Sequence, residues 1–270
     1  RERVAAWKAR GVEPKLAVLL VEGDPASAYY AEAKRKTAEK LGVAFELCAF
    51  PAEVSGEAVL RKIAEWNEDR CVHGIMLELP LPKHLADLHP ENALAPAKDI
   101  DGVTPASKLA LLAGGAGLFP ATPQACIALV KHYGYALEGR HVVLVGRGQT
   151  VGMPLFHLLQ REQATVTVCH SRTPDLAAHL ARAEIAFVAV GRPGTVRREM
   201  AHPGLVLVDA GIHEREDGGI AGDVEPEAAE TAAALSPVPG GVGTVTTAVL
   251  FRNLMEAMDL QFATEGEERE

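Results

Sequence analysis

HVVLVGRGQTVG, residues 141–152, decides the fold of this chain. The aliphatic run Val142 to Val145 reads as a buried strand, and a helix is expected from the glycines to about Arg161. A strand that ends in glycines and turns into a helix brings backbone amides and a helix N-terminus towards a phosphate. The spacing departs from the dinucleotide fingerprint, which wants its third glycine at 151, where Val151 sits, with Gly152 one place late. By its glycines alone the stretch fits a tight turn as well as a pyrophosphate site.

Beyond it come a strand ATVTVCH (164–170), a helix, and strands EIAFVAV (184–190) and LVLVDAG (205–211), a doubly wound pattern. An NAD site places an Asp or Glu at the end of the second strand; this chain has Cys169-His170-Ser171-Arg172, with Arg147 in the first turn. One hydroxyl, two guanidinium groups and no carboxylate suit a 2′-phosphate, so NADP is preferred over NAD. The plainer alternative makes Arg172 a solvated loop residue.

Upstream the pattern is β-α-β-α-β. KLAVLLVE (15–22) is a strand, and Asp24 caps a helix that opens at Pro25 and runs to about Leu41. VAFELCAF (43–50) is the next strand, Ser55 caps a helix to about Arg70, and HGIMLE (73–78) is the third. Residues 83–121 read as loop-rich, with prolines at 90, 96, 105 and 120, and Thr122-Pro123 as the capped start of a helix to about Tyr133. PVPGGVGTVTTAVL (237–250) passes through a glycine loop into a last helix, and the acidic tail ATEGEERE is expected to be disordered. The fold class is α/β: two α/β domains flanking a cleft, the second a Rossmann-type doubly wound parallel sheet. Residues 1–121 plus 247–270 form the first domain and 122–246 the second.

The 270 residues are 48% apolar and carry a net charge of −9, and the longest basic run, Lys34-Arg35-Lys36, is interleaved with Glu32 and Glu39. Nucleic acid is therefore not an expected partner. No apolar segment approaches a membrane span, and RERVAAWKARG reads as an amphipathic helix, not a signal sequence. The chain opens without Met, so native residues before Arg1 are expected. Cys48, Cys71, Cys126 and Cys169 lack C-x-x-C spacing and read as buried reduced thiols of a cytoplasmic protein. The ten histidines show no zinc spacing, and Lys98-Asp99-Ile100-Asp101-Gly102 lacks the further ligands of a calcium loop, so no metal is expected.

GIMLELPLP (74–82) ends an apolar run on a carboxylate, Glu78, which is expensive to bury unless paired. Tyr30 and Lys34 share one helix face at i, i+4, with Ser27 on the same stripe. A lysine beside a phenol can serve as an acid/base pair, although spacing alone fits a surface contact equally.

Taken together, GDPASAYYAEAKRK, GIMLELPLP, KDIDG, GRHVVLVGRGQTVGMP, VTVCHSRT, AVGRP, VDAGI, GDV and SPVPGGVGTVT, in this order, closely resemble the bifunctional methylenetetrahydrofolate dehydrogenase/methenyltetrahydrofolate cyclohydrolase family, over about residues 15 to 255. The resemblance implies oxidation of 5,10-methylenetetrahydrofolate with NADP and hydrolysis of the methenyl product to 10-formyltetrahydrofolate, steps of one-carbon metabolism that serve purine biosynthesis. It implies a catalytic, folate-binding first domain, an NADP-binding second domain, and a homodimer formed through the latter.

Carried onto this chain, it makes Lys34 the catalytic lysine, Tyr30 its stacking neighbour and Asp101 the holder of the pterin's polar edge. Leu77, Glu78 and Leu79 join these around substrate, and Pro239, Gly240, Gly241, Val242 and Gly243 form a loop that closes over it. Gly146, Arg147, Gly148, Val151, Gly152, Ser171, Arg172, Gly191 and Ile212 line the cofactor.

There are departures from the family pattern. Glu78 stands where the family has Gln, Gly148 where it has Ser, Ala121 and Ala125 replace Cys and Gly around PCTP, GPMT is Gly243-Thr244-Val245-Thr246, and His213 replaces an Asn. If Glu78 contacts Lys34, a buried ion pair is expected, with the lysine a poorer base and hydrolysis weakened relative to oxidation. Alternatively Glu78 itself takes the proton, or points to solvent. Two further readings are a silent folate- or nucleotide-binding protein, against which Lys34, Tyr30 and Asp101 argue, and an unrelated NADP dehydrogenase acting on a small acid.

Overall fold

A computed structural model describes residues 1–23, 25–214 and 219–267. The chain divides into two compact units, Arg1–Phe119 with Leu250–Glu270, and Pro120–Val249.

In the first unit, after α1 (Glu2–Ala9), strand β1 (Lys15–Val21) lies between β2 (Ala44–Phe50) and β3 (Gly74–Leu77), parallel to both. Six consecutive buried side chains on β1 explain its uninterrupted apolar sequence, because a strand with neighbours and cover on every side has no face for polar residues. The crossovers are α2 (Pro25–Leu41) and α3 (Gly56–Glu68). The Ser55 hydroxyl accepts from the Ala58 amide at 3.3 Å, as its cap reading requires, and the Asp24 cap lies outside the described residues. Helix α3 buries Val59, Ile63 and Trp66 against Leu19, Val21, Ile75 and Leu77, about 1.5–3 kcal/mol for each large side chain.

The stretch 83–121 holds more structure than its prolines suggest: α4 (Lys83–Ala86), two 3₁₀ turns and α5 (Pro105–Leu112). Thr104 caps α5 by accepting from Ser107, with Pro105 at the first position. At Thr122-Pro123 the same signature misleads. Helix α6 (Ala121–His132) starts earlier, with Pro120 in the cap position and no side-chain cap, and the Thr122 hydroxyl instead lies 3.4 Å from that of Thr246.

The second unit carries β4 (His141–Val145), α7 (Gly152–Arg161), β5 (Thr165–Cys169), α8 (Leu176–Leu180), β6 (Ile185–Val188), β7 (Val206–Asp209), a small antiparallel pair β8 (His213–Glu214) and β9 (Ile220–Ala221), and β10 (Ala234–Leu235). The five parallel strands run in the order β10-β7-β6-β4-β5. In each unit, then, the first strand has the second on one side and the third on the other. The crossovers reverse direction there, which opens a switch point at the strands' carboxyl ends. In the first unit it lies between β1 and β3, and in the second between β4 and β6.

The last helix, α9 (Val242–Glu267), continues through residues 263–267, so the disordered tail expected from Ala263 onward is corrected for that part; residues 268–270 lie outside the described set. Ala263, Glu265 and Glu267 are good helix formers that extend an established helix at little further cost. Trp7 packs on Phe262 with ring centroids 4.7 Å apart. Cys126 and Cys169 are buried, and burial pushes the Cys126 thiol up to about 12. Cys48 is half-buried and Cys71 exposed, so the buried-thiol reading fails for that pair. No helix among the described residues is long and apolar enough to cross a membrane.

Candidate active site

Helix α2 leaves the carboxyl end of β1 with Ser27, Tyr30 and Lys34 on one side, and Glu78 follows directly on β3. The Glu78 amide donates to the Leu19 carbonyl at 2.9 Å, extending the β1–β3 ladder one step and fixing where the side chain leaves the sheet. It leaves towards Lys34. The ammonium nitrogen lies 2.8 Å from Oε1 and 2.9 Å from Oε2, and both residues are buried. The Tyr30 ring centroid is 5.9 Å from Nζ, and the buried Ser27 hydroxyl donates to the Leu79 carbonyl at 3.4 Å.

Glu78 therefore faces Lys34, and the pairing demanded by a charge at the end of an apolar strand is met. Burial pushes the Glu78 carboxyl above its ordinary range, outweighing the nearby lysine, which pulls it down. An amine and a carboxyl at hydrogen-bond distance can pass a proton between them.

Asp101 stands half-exposed in a segment anchored on both sides. The buried Lys98 ammonium donates to the carbonyls of Trp66, Asn67 and Asp69 at 2.7 to 2.9 Å, closing the end of α3. Asp99, fully buried, accepts from the amides of Val103 and Thr104 and from the Ser107 hydroxyl. Asn253 donates to the carbonyls of Ile100 and Phe119. The sequence reading grouped the two carboxylates as neighbours; the structure turns Asp99 inward as a brace and leaves Asp101 half-exposed. Leu77 packs in the core, whereas Leu79 is exposed.

In the second unit Gly146 has φ +114°, and a Cβ there would sit 2.1 Å from the Ala189 carbonyl oxygen. A Cβ at Gly152 would meet the Gly146 carbonyl oxygen at 2.6 Å. Backbone contact thus explains the displaced third glycine: the chain needs it at 152, where α7 begins, and Val151 is the residue before the helix. Between them Arg147 and Gly148 are exposed, with open space above Gly148. Beyond β5, Ser171 and Arg172 are exposed and residues 170–174 include no carboxylate. Across the switch point Gly191 (φ +72°) is likewise open, and Ile212 is exposed. Of the loop 239–243, Pro239, Gly240 and Gly243 are exposed, while Gly241 and Val242 are buried where α9 starts.

This open rim of glycines, a helix N-terminus and two arginines suits a phosphorylated dinucleotide.

Two carboxylates that hold this rim were missed from sequence, where VDAGI and GDV were noted without a role. Asp209, buried, accepts from the amides of Gly211, Asp223 and Val224. Asp223, fully buried, accepts from the amides of Val190, Gly191 and Arg192 at 2.7 to 3.1 Å. Each presses on a glycine beside the other, since a Cβ at Gly211 or Gly222 would lie 2.3 or 2.0 Å from Asp223 or Asp209. Those adjoining glycines were the available signal. Burial pushes the Asp209 carboxyl up against the pull of its three amides.

Two family models match the chain: tetrahydrofolate dehydrogenase/cyclohydrolase, catalytic domain, over residues 1–101, and the NAD(P)-binding domain of the same family over residues 120–262. The bifunctional protein FolD of Heliobacterium modesticaldum is 52% identical over 97% of this chain and 91% of its own length. FolD 2 of Desulfitobacterium hafniense is 50% identical over 97% and 92%. Among solved structures, the bifunctional FolD methylenetetrahydrofolate dehydrogenase/cyclohydrolase of Campylobacter jejuni superposes with a TM-score of 0.92 at 35% identity, covering 96% of this chain and 93% of that one. The Trypanosoma brucei methylenetetrahydrofolate dehydrogenase-cyclohydrolase, complexed with NADP and an inhibitor, gives 0.91 at 33% identity, covering 97% and 92%.

Proposed function

Since this chain belongs to the tetrahydrofolate dehydrogenase/cyclohydrolase family, we propose that its two switch points serve one reaction sequence on folate. The chain is an NADP-dependent methylenetetrahydrofolate dehydrogenase and methenyltetrahydrofolate cyclohydrolase. The observation that carries the site assignment is the buried Lys34–Glu78 pair at the carboxyl end of the first sheet.

In this reading NADP, when bound, would supply the hydride acceptor that oxidises the methylene carbon to the methenyl cation. Gly146, Arg147, Gly148, Val151, Gly152, Ser171, Arg172, Gly191 and Ile212 hold the dinucleotide. In the first unit Tyr30, Leu77, Leu79 and Asp101 hold the folate, Asp101 at the pterin's polar edge. Hydrolysis then adds water to the methenyl carbon and breaks its bond to N5. The water gives up both its protons as the formyl carbonyl forms: one passes through Lys34 and Glu78 to N5, the other leaves to solvent and carries off the charge of the methenyl cation, so the pair is restored at the end of the cycle. A homodimer formed through the second unit and a cytoplasmic location complete the reading, supported by the family resemblance.

A second reading keeps the oxidation and weakens the hydrolysis. It rests on the geometry of Nζ, which engages both oxygens of a full carboxylate where the family pattern has an amide. Two charge-assisted bonds must then yield before the lysine can serve water or N5.

The deciding experiment follows methenyltetrahydrofolate by absorbance from pH 6 to 9 in wild type and Glu78→Gln. If Glu78 restrains Lys34, the variant hydrolyses roughly 10-fold faster at neutral pH with oxidation little changed. Brisk wild-type hydrolysis that falls in the variant makes Glu78 a proton carrier. No NADP reduction by wild type with methylenetetrahydrofolate would overturn the function itself.

A further inference from the structure

An ionised carboxylate offers about four acceptor positions and no donor. On Asp223 all four are taken: Oδ2 by the amides of Val190 (2.7 Å) and Gly191 (3.1 Å), Oδ1 by the amide of Arg192 (2.7 Å) and by Nε2 of His213 (2.6 Å). Facing a carboxylate, Nε2 must carry the ring proton and donate it. The imidazole is mostly covered, 16% exposed, and Asp223 is completely so, and this bond is thereby shielded from bulk water. His213 lies on β8, outside the five-stranded sheet, at a position that resembled an Asn of the family pattern.

The segment bound to Asp223 forms one wall of the switch point. It continues from β6, and its start at Ala189 touches the turn at Gly146, which forms the other wall. The imidazole bonds the same oxygen, Oδ1, that accepts from the Arg192 amide, so it helps to set the orientation of the carboxylate and with it the direction in which the three amides point.

We propose that His213 is a positioning residue for dinucleotide binding, acting through Asp223 on Val190, Gly191 and Arg192. This rests on the reading that the second switch point takes NADP. Removing the imidazole frees an acceptor position on a buried carboxylate, which then turns to share its amides differently, and the wall moves with it. The folate hydrolysis, which consumes no dinucleotide, is left alone.

The test compares wild type with His213→Ala and His213→Gln, whose amide reaches about as far as the imidazole Nε2. NADPH binding is followed by its fluorescence without folate, beside NADP-dependent oxidation and methenyltetrahydrofolate hydrolysis. His213→Ala should weaken NADPH binding and raise the KM for NADP ~10-fold, in line with one lost hydrogen bond to a charged group. Its kcat at saturating NADP and its hydrolysis should stay within about twofold, because neither needs the wall once the site is filled. His213→Gln should restore binding.

Unchanged NADPH binding in His213→Ala overturns the proposal. So does a parallel fall in both activities and thermal stability that Gln does not repair, since that marks a general structural role. A wild-type protein that binds no NADPH would overturn the cofactor reading, and this inference with it.

Discussion

Glu78 and Asp223 are both buried carboxylates that serve the switch points of their sheets, yet the chain satisfies them in opposite ways. Glu78 is answered by one mobile cation at the end of a long side chain, Asp223 by three backbone amides and an imidazole. An ion pair can lose or exchange its proton without disturbing the chain around it. A carboxylate clamped by amides can do neither without releasing a loop. The difference separates a carboxylate that takes part in chemistry from one that builds the place where a ligand lies.

The contrast can be broken most severely at Lys34. Lys34→Met removes the cation bonded to Glu78 and the proposed proton carrier, so hydrolysis should fall ~10²–10⁴-fold. Methenyl decay at fixed pH measures it, and a loss below about tenfold would move proton transfer to another group. NADPH binding should be untouched.

Asp223→Asn gives the converse. One oxygen becomes a donor facing donors, and orphaned amides should lower unfolding stability by roughly 1–3 kcal/mol while NADPH binding falls. Urea unfolding with unchanged stability would remove the clamp from the account.

The smallest effect concerns pH. Burial raises the proton affinity of Glu78 on folding, so above its ordinary value of 4.5 the native state holds more proton than the unfolded chain. Stability contributed by this group therefore falls as pH rises through that window and levels off once both states are ionised. Measured against Glu78→Gln between pH 4 and 7, wild type should lose relative stability with rising pH. A flat difference would mean that folding leaves this carboxyl's proton affinity unchanged.

Much of this was legible in the sequence, for reasons particular to each element. Strands β1, β3 and β4 announce themselves as unbroken aliphatic runs because parallel strands covered on both faces leave no polar position. Glu78 stood out because a charge ending such a run needs a partner, and Tyr30 and Lys34 by helical spacing.

What escaped notice has equally specific causes. Helix α5 exposes Leu109 and Leu112, so its apolar residues do not sort to one face, and its Thr104-Pro105 start was overlooked. Strands β8, β9 and β10 are two residues long and show no period at all. Asp209 and Asp223 bond to amides 14 to 33 residues away, among others, and nothing in the local sequence encodes that distance. His213 depends on the same fold-level meeting.

The clamp on Asp223 also bears on how freely this protein can change. The carboxylate recognises main-chain N–H groups, which every residue except proline possesses, so the side chains of Val190 and Arg192 are not what holds their loop in place. Pro193 follows at once, where no amide is requested. Substitutions at 190 and 192 can thus retune what the wall offers a ligand without undoing the wall, and evolution or a designer is free to vary its chemistry there at little risk to the fold.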